Sequence, residues 1–265
     1  MKFNLSKPYL ITLLTAITAI NTSAQKLPSE QKESFYAPPG LKIDGKTTEW
    51  GNKFQAHNNA TMLFYTMAND NDNLYLVMQT DQQAATDKIF HGGITLEVIC
   101  RDKGKKLKPV KITFPLVSLT ERSEIVPLRD KKNNADSVAA VVNARLQTFA
   151  KHIAIEGLDG LTDPDVSVYN DLGLKAAARV DGSRAVSFEF QVPLKYIRSL
   201  MGDESSFDYR IIVNGAKLEP GTIVINGSSL SGGAARVSLS GSADANPIFS
   251  PTYLKASYIL AKKQR

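Results

Sequence analysis

The sequence predicts a mostly β chain, an antiparallel β-sandwich of jelly-roll or immunoglobulin-like type carrying one inserted helix. Three observations predict it. Apolar residues alternate with polar ones in short runs separated by hairpin-length gaps. Asp-Gly and Asn/Asp clusters punctuate those runs as turns do. Only one long stretch, near 136–150, has a helical period. A hydrophobic content of 43% with charges of both signs excludes global disorder.

Residues 1–24 are expected to be a signal peptide rather than part of the fold. Lys2 and Lys7 form a basic start, 9–20 an apolar run, and Thr22-Ser23-Ala24 a small-residue cleavage site. The apolar run is too short to span a bilayer as a helix, which needs about 20 residues. No cysteine follows it, so a lipid anchor is not expected. The mature chain would start at Gln25 and be exported, to the periplasm, the cell surface or the medium.

Residues 25–40, polar and proline-bearing, read as an extended lead-in, and 41–265 as a single sandwich domain, since no Pro/Gly/Ser linker divides them. Runs 61–67 and 74–80 are apolar on nearly all positions, as central strands covered on both faces would be. The Asx-rich segment 69–73 joins them as a hairpin loop. Ile94, Leu96, Val98 and Cys100 alternate cleanly, as do Val110, Ile112 and Phe114, and a polar segment joins these two strands. Periodicity is lost over 118–134. Asp136 then reads as the N-cap of a helix to about Ala150, with Val138, Val141, Val142, Leu146 and Phe149 on one face.

The third hairpin has the strongest signal. Alternating strands, 174–180 and 186–192, flank Asp181-Gly182. Pro193 ends the second strand and suits the first turn of a short helix, 194–200. Strands are further expected at 207–213, at 222–225 and 236–239 within a Gly/Ser-rich stretch, and at 254–260.

Cys100 is the only cysteine. It excludes an intramolecular disulfide and a cysteine-based zinc site, and its alternation places it in the core. The net charge of +6 includes four lysines within 103–108. Lying between two apolar strands, they read as a solvated hairpin tip, so no nucleic-acid partner is expected.

Three segments together resemble the family 9 carbohydrate-binding modules and their DOMON-like relatives. The first is Ile43-Asp44-Gly45 followed by Glu49-Trp50. The second is Asn73-Leu74-Tyr75-Leu76-Val77 with Thr80-Asp81 behind it. The third is Glu189 in a late strand running to Pro193. In order and spacing they cover about 41–214. The resemblance implies a sandwich in which Ile43, Asp44, Gly45, Trp50 and Pro193 are structural. It also implies a glycan ligand held on loops or a groove by stacking aromatics. Trp50 is the only tryptophan and occupies the structural position, so a paired-Trp clamp is excluded.

Other chemistries find little purchase. Asp70 and Asp72 could supply oxygen ligands to the structural calcium that some relatives hold, but neither the Gly nor the distant Glu of a calcium loop is in register, and Asx residues favour turns unaided. His57, His91 and His152 share no metal-ligand spacing. His91-Gly92-Gly93 lacks an accompanying Gly-x-Ser-x-Gly elbow. Some DOMON-type relatives bind haem through Met; here Met62, Met67 and Met78 read as core fillers, with Met62 or Met78 facing inward. Glu49, Asp81, Glu97 and Glu189 are acids near or within strands. Glu97 and Glu189 are expected to face solvent.

The expected function is therefore a non-catalytic, secreted binding module with carbohydrate as its partner and no cofactor unless calcium. A structural or protein-interaction sandwich is the alternative, and a haem-carrying or enzymatic variant the second. No catalytic residue is expected, and no ligand-binding residue can be named.

Overall fold

In a computed structural model that describes residues 26–102, 105–125, 134–158, 161, 163–201, 205–216 and 247–263, the alternating runs pair into two six-stranded sheets. The expected signal peptide and the strands at 222–225 and 236–239 lie outside the described residues. Along the chain come β1 (Phe35–Tyr36), a 3-10 turn (Thr48–Trp50), β2 (Ala56–Asn58), β3 (Leu63–Asn69), β4 (Asn73–Thr80) and α1 (Gln83–Gly92). Next are β5 (Ile94–Ile99), β6 (Arg101–Asp102), β7 (Lys105–Lys106), β8 (Val110–Phe114), α2 (Leu119–Ile125) and α3 (Ala135–Phe149). The remainder comprises β9 (His152–Glu156), β10 (Asp165–Ser167), β11 (Lys175–Val180), β12 (Val186–Pro193), α4 (Leu194–Met201), β13 (Ser206–Val213) and β14 (Thr252–Ile259).

One sheet has the order β1-β3-β4-β12-β11, with β2 also pairing with β3; the other runs β10-β9-β8-β5-β13-β14, and β6-β7 is a separate small ribbon. All pairs are antiparallel except β1 with β3, which is parallel because the lead-in runs alongside β3 rather than turning back from it. The lead-in is therefore not free. The Gln31 side chain acts as one more strand residue, accepting from Met67 N at 2.7 Å and donating to Met67 O at 2.8 Å.

The expectation of one inserted helix beside the short one at 194–200 is corrected, because the described residues hold two more, α1 and α2. α1 and α2 are short: α1 buries Ala85, Thr86, Ile89 and Phe90, and α2 packs against α3 and α1. The N-cap of α3 is Asn134, not Asp136. Its side chain accepts from Asp136 N and Ser137 N, two amide donors that the first helical turn leaves unpaired. The buried face of α3 carries Val138, Ala139, Val142 and Leu146, while Val141 is 49% exposed.

The buried faces of both sheets contribute to one core. Leu63, Tyr65, Met67, Phe188 and Phe190 come from the first sheet, and Ile94, Leu96, Val98, Phe114 and Tyr209 from the second. Phe114 meets Phe190 edge-on at 6.3 Å, tying the layers together. Burying each such aliphatic or aromatic side chain stabilises the fold by roughly 1.5–3 kcal/mol. Cys100 is in this core, 1% exposed. Met67 and Met78 are fully enclosed, but Met62 is not: it turns outward at φ +57° and is 39% exposed.

Candidate functional site

The two acids expected to face solvent are both buried: Glu97 is 2% exposed and Glu189 0%. Strand alternation does place them on the outer faces of their sheets, away from the shared core. Those faces are covered. Glu97 lies within a cross-strand row of charged side chains, Glu156, Lys111, Glu97, Arg210 and Lys255, flanked on both sides by a cation. Within it Arg210 Nε donates to Glu97 Oε2, and Lys111 Nζ lies 2.9 Å from Glu156 Oε2.

Over Glu189 the cover is the segment containing the Ile43-Asp44-Gly45 and Glu49-Trp50 motif. Glu189 Oε2 accepts from Asp44 N at 3.0 Å and from Gly45 N at 2.7 Å, and Oε1 accepts from Trp50 Nε1 at 2.8 Å. Two motifs about 140 residues apart are thus one hydrogen-bonded unit. Burial pushes the Glu189 carboxyl up to about 7, against the downward pull of its three donors. Gly45 permits the close approach: its φ is +81°, and a Cβ there would sit 2.7 Å from Arg179 Cβ. Trp50 is half-buried rather than enclosed, packing with Ile43 against Ala37, Ala68 and Tyr75.

This crossing segment divides the outer face of the first sheet. On one side Trp50 shares with Phe35, Tyr36 and Pro38 a hollow of about 320 Å³. On the other lies an open cleft of about 540 Å³. The cleft floor, Arg179, Ser187 and Gln79, is set by register, and the same row runs on beyond the cleft to Phe64 and His57. Arg179 pairs with Ser187, Ser187 with Gln79, Gln79 with Phe64, and Phe64 with His57, so five strands contribute one row. Four inter-strand steps of about 4.8 Å make that row roughly 19 Å long. Gln79 Nε2 donates to Ser187 Oγ at 2.9 Å, and the His57 ring stacks on Phe64 at 4.2 Å.

The walls are Lys46, Thr47, Thr48 and Asn52 on the crossing segment, and Asp136 and Asn143 on α3. Asn143 fixes α3 to the sheet, donating to Val180 O and accepting from Val180 N, both at 2.8 Å. The rim closes where Asp136 meets Gly182; a Cβ on that glycine would lie 2.5 Å from the carboxylate. Asp181 is occupied locally, its Oδ1 accepting from Ser183 N, Ser183 Oγ and Ala185 N. The hairpin loop therefore spans five residues, 181–185, between the paired Val180 and Val186.

The charges in the cleft balance, with Lys46 and Arg179 against Asp136 and Asp181. Lys46 is paired with Asp44 at 2.8 Å. Burial acts to raise Asp44, but the bonds and charge of Lys46 hold it below the ordinary carboxylate range. Among the described residues, the groups left for a ligand are the Arg179 guanidinium, the Asp136 carboxylate, the Gln79 carbonyl and the Asn52 amide nitrogen. Of these, only Asp136 was singled out in the sequence, as a helix cap rather than a ligand group. For Gln79 and Arg179 the only signal was polarity within otherwise apolar strands.

The other expected site residues lie elsewhere. Asp70 Oδ1 accepts from Asp72 N and Asn73 N, and its Oδ2 from the Tyr75 hydroxyl at 2.8 Å. The carbonyls of Asn71 and Asp72 accept from Arg198 and from Leu194 N, just after Pro193. The Asp70 carboxylate and the Asn71 and Asp72 carbonyls are thus engaged in turn and α4 contacts. Among the described residues no three His, Cys, Asp or Glu side chains converge as metal ligands. His91 and His152 line a separate hollow of about 420 Å³, with His91 Nδ1 bonded to Asp87 O and His152 Nδ1 to Asp165 Oδ1. Among the described residues no helix is long and apolar enough to cross a membrane. No protein-family model matches the chain, and no curated protein matches it significantly.

Proposed function

We propose that this chain is an exported, non-catalytic binding module of the family 9 carbohydrate-binding-like sandwich type, and that the cleft over Gln79, Ser187 and Arg179 takes a neutral oligosaccharide. The observation that carries the proposal is the single row from Arg179 to His57. It offers hydrogen-bonding groups at one end and the Phe64 and His57 rings at the other. Sugars present both surfaces, hydroxyls at the ring edge and apolar C–H groups on its face. The balanced charge of the walls favours a neutral ligand over a phosphate or nucleic acid.

The cleft chemistry supports binding rather than turnover. Ser187 Oγ is partnered by an amide, Gln79, which cannot take its proton as a base would. The acid with the raised pKa, Glu189, faces the crossing segment with all its described donors in place.

A glycan array probed with the mature chain, and with Gln79→Ala and Arg179→Ala, tests the proposal. Neutral oligosaccharides should be retained by the parent and weakened about tenfold by either substitution, the loss expected from one or two hydrogen bonds. Retention unaffected by both substitutions, or no retention of any glycan, would overturn it.

A further inference from the structure

A second groove, distinct in lining from the glycan cleft except for Asn143 and Arg179, follows the outer edge of β11. β11 ends its sheet, so half of its backbone groups point away from β12. Which half is fixed by two contacts. Asp181 N donates to Ala185 O, so the odd-numbered residues of β11 bond to β12. Val180 N and O bond instead to the Asn143 side chain, so the even-numbered residues face outward.

Both ends of this edge are pinned by asparagine amides. Asn143 occupies Val180, and Asn170 Nδ2 donates to Leu174 O at 2.8 Å. Between them, the N–H and C=O of Ala176 and Ala178 have no partner among the described residues. The opposite edge of the sheet is treated differently: β1, β2 and the Gln31 amide all cover β3.

The open window lies in a groove of about 560 Å³. Phe114, Leu146, Ala150 and Val168 give it an apolar floor, and the rim carries Lys151, Lys175 and Arg179. Among the described residues Asp44 is the one acid lining it, and Lys46 already pairs with that carboxylate. Ala177 and Ala178 are partly exposed on this edge, while the Ala176 side chain, 9% exposed, belongs to the core.

We propose that this edge binds an extended acidic peptide of another protein by strand addition. Its backbone pairs with Ala176 and Ala178, apolar side chains at alternate positions enter the floor, and intervening Asp or Glu residues meet the basic rim. Charge argues against a second copy as occupant. Antiparallel self-pairing centred on Ala177 would set Lys175 opposite Arg179 twice, and like charges directly opposite are destabilising.

The probes are a blocked Glu-Val-Glu-Val-Glu peptide and its Lys-Val-Lys-Val-Lys counterpart, read by calorimetry and by NMR amide exchange. The acidic peptide should bind, weaken with added salt, and slow exchange at Ala176 and Ala178. Ala178→Pro removes an edge donor without removing a bond to β12, and proline is tolerated on edge strands. It should weaken binding about tenfold, and Lys175→Glu, which leaves the backbone intact, should do likewise. If Ala178→Pro melts below the parent, Lys175→Glu decides. The proposal is overturned by equal binding of the basic peptide, by no binding of the acidic one, or by binding that survives Lys175→Glu. Slowed exchange at these amides on concentrating the protein alone, with a dimer by light scattering, would also overturn it.

Discussion

Glu189 should make the fold less stable as pH rises through neutrality, and Glu189→Gln should abolish that loss. In the unfolded chain the carboxyl titrates at its ordinary value of 4.5, whereas in the fold burial raises it to about 7. The folded state therefore binds the proton more tightly. Its contribution is fully present below the unfolded pKa and is lost as pH rises through about 7. A shift of this size corresponds to about 3 kcal/mol, at 1.36 kcal/mol per pKa unit. The glutamine variant keeps one acceptor for Asp44 N and Gly45 N but turns an NH2 group toward Trp50 Nε1–H. At pH 4.5 it should be about 0.5–1.5 kcal/mol less stable than the parent, and at pH 8 about 1.5–2.5 kcal/mol more stable. Urea unfolding at both pH values measures the difference, and other titrating groups cancel between the two proteins. Trp50, the only tryptophan, should report the same event as an emission change with a midpoint near 7, absent in the variant. Parallel pH profiles for parent and variant would refute the reasoning, because they would mean the three donors cancel the effect of burial, and a parent that gains stability with rising pH would mean they outweigh it.

Arg210→Ala should cost about 1–3 kcal/mol in urea unfolding, below the usual 3–5 for breaking a buried pair, because Arg210 itself is partly exposed and Lys111 flanks Glu97 on the other side. Gly45→Ala should destabilise by about 1–3 kcal/mol in thermal melts, since its φ of +81° and the Arg179 and Ala178 contacts leave no place for a Cβ. Replacing Asp70 and Asp72 together by Asn should leave melting indifferent to millimolar calcium or chelator, as in the parent. A calcium-dependent rise of several degrees in the parent, lost in the double variant, would show that the loop holds an ion.

Strands were legible where one face meets the core, and the pairings of 94–99 with 110–114 and of 175–180 with 186–193 follow from alternation and turn residues. Alternation assigns a face but does not reveal whether something covers it, so Glu97 and Glu189 were misplaced. For Glu189 the covering segment lies far away in sequence, and only the folded geometry joins them. α2 was missed despite an available signal: Ser118 and Glu121 form a capping box, with Ser118 N donating to Glu121 Oε2 and Glu121 N to Ser118 Oγ. α1 offered less, because Gln82 caps it without a side-chain bond and its buried residues include Ala85 and Thr86. The cleft was illegible for a further reason. Gln79, Arg179 and Ser187 become neighbours only through strand register.

The most direct test of glycan binding on the outer sheet face is an amide chemical-shift titration of the mature protein with a neutral oligosaccharide retained on the array. The largest shifts should fall at Gln79, Arg179 and Ser187 and along 45–52, with Phe64 and His57 following as the ligand extends along the row. Shifts confined to the Tyr36 and Trp50 hollow, or to the outer face of the sheet carrying Glu97 and Arg210, would contradict the assignment of the cleft.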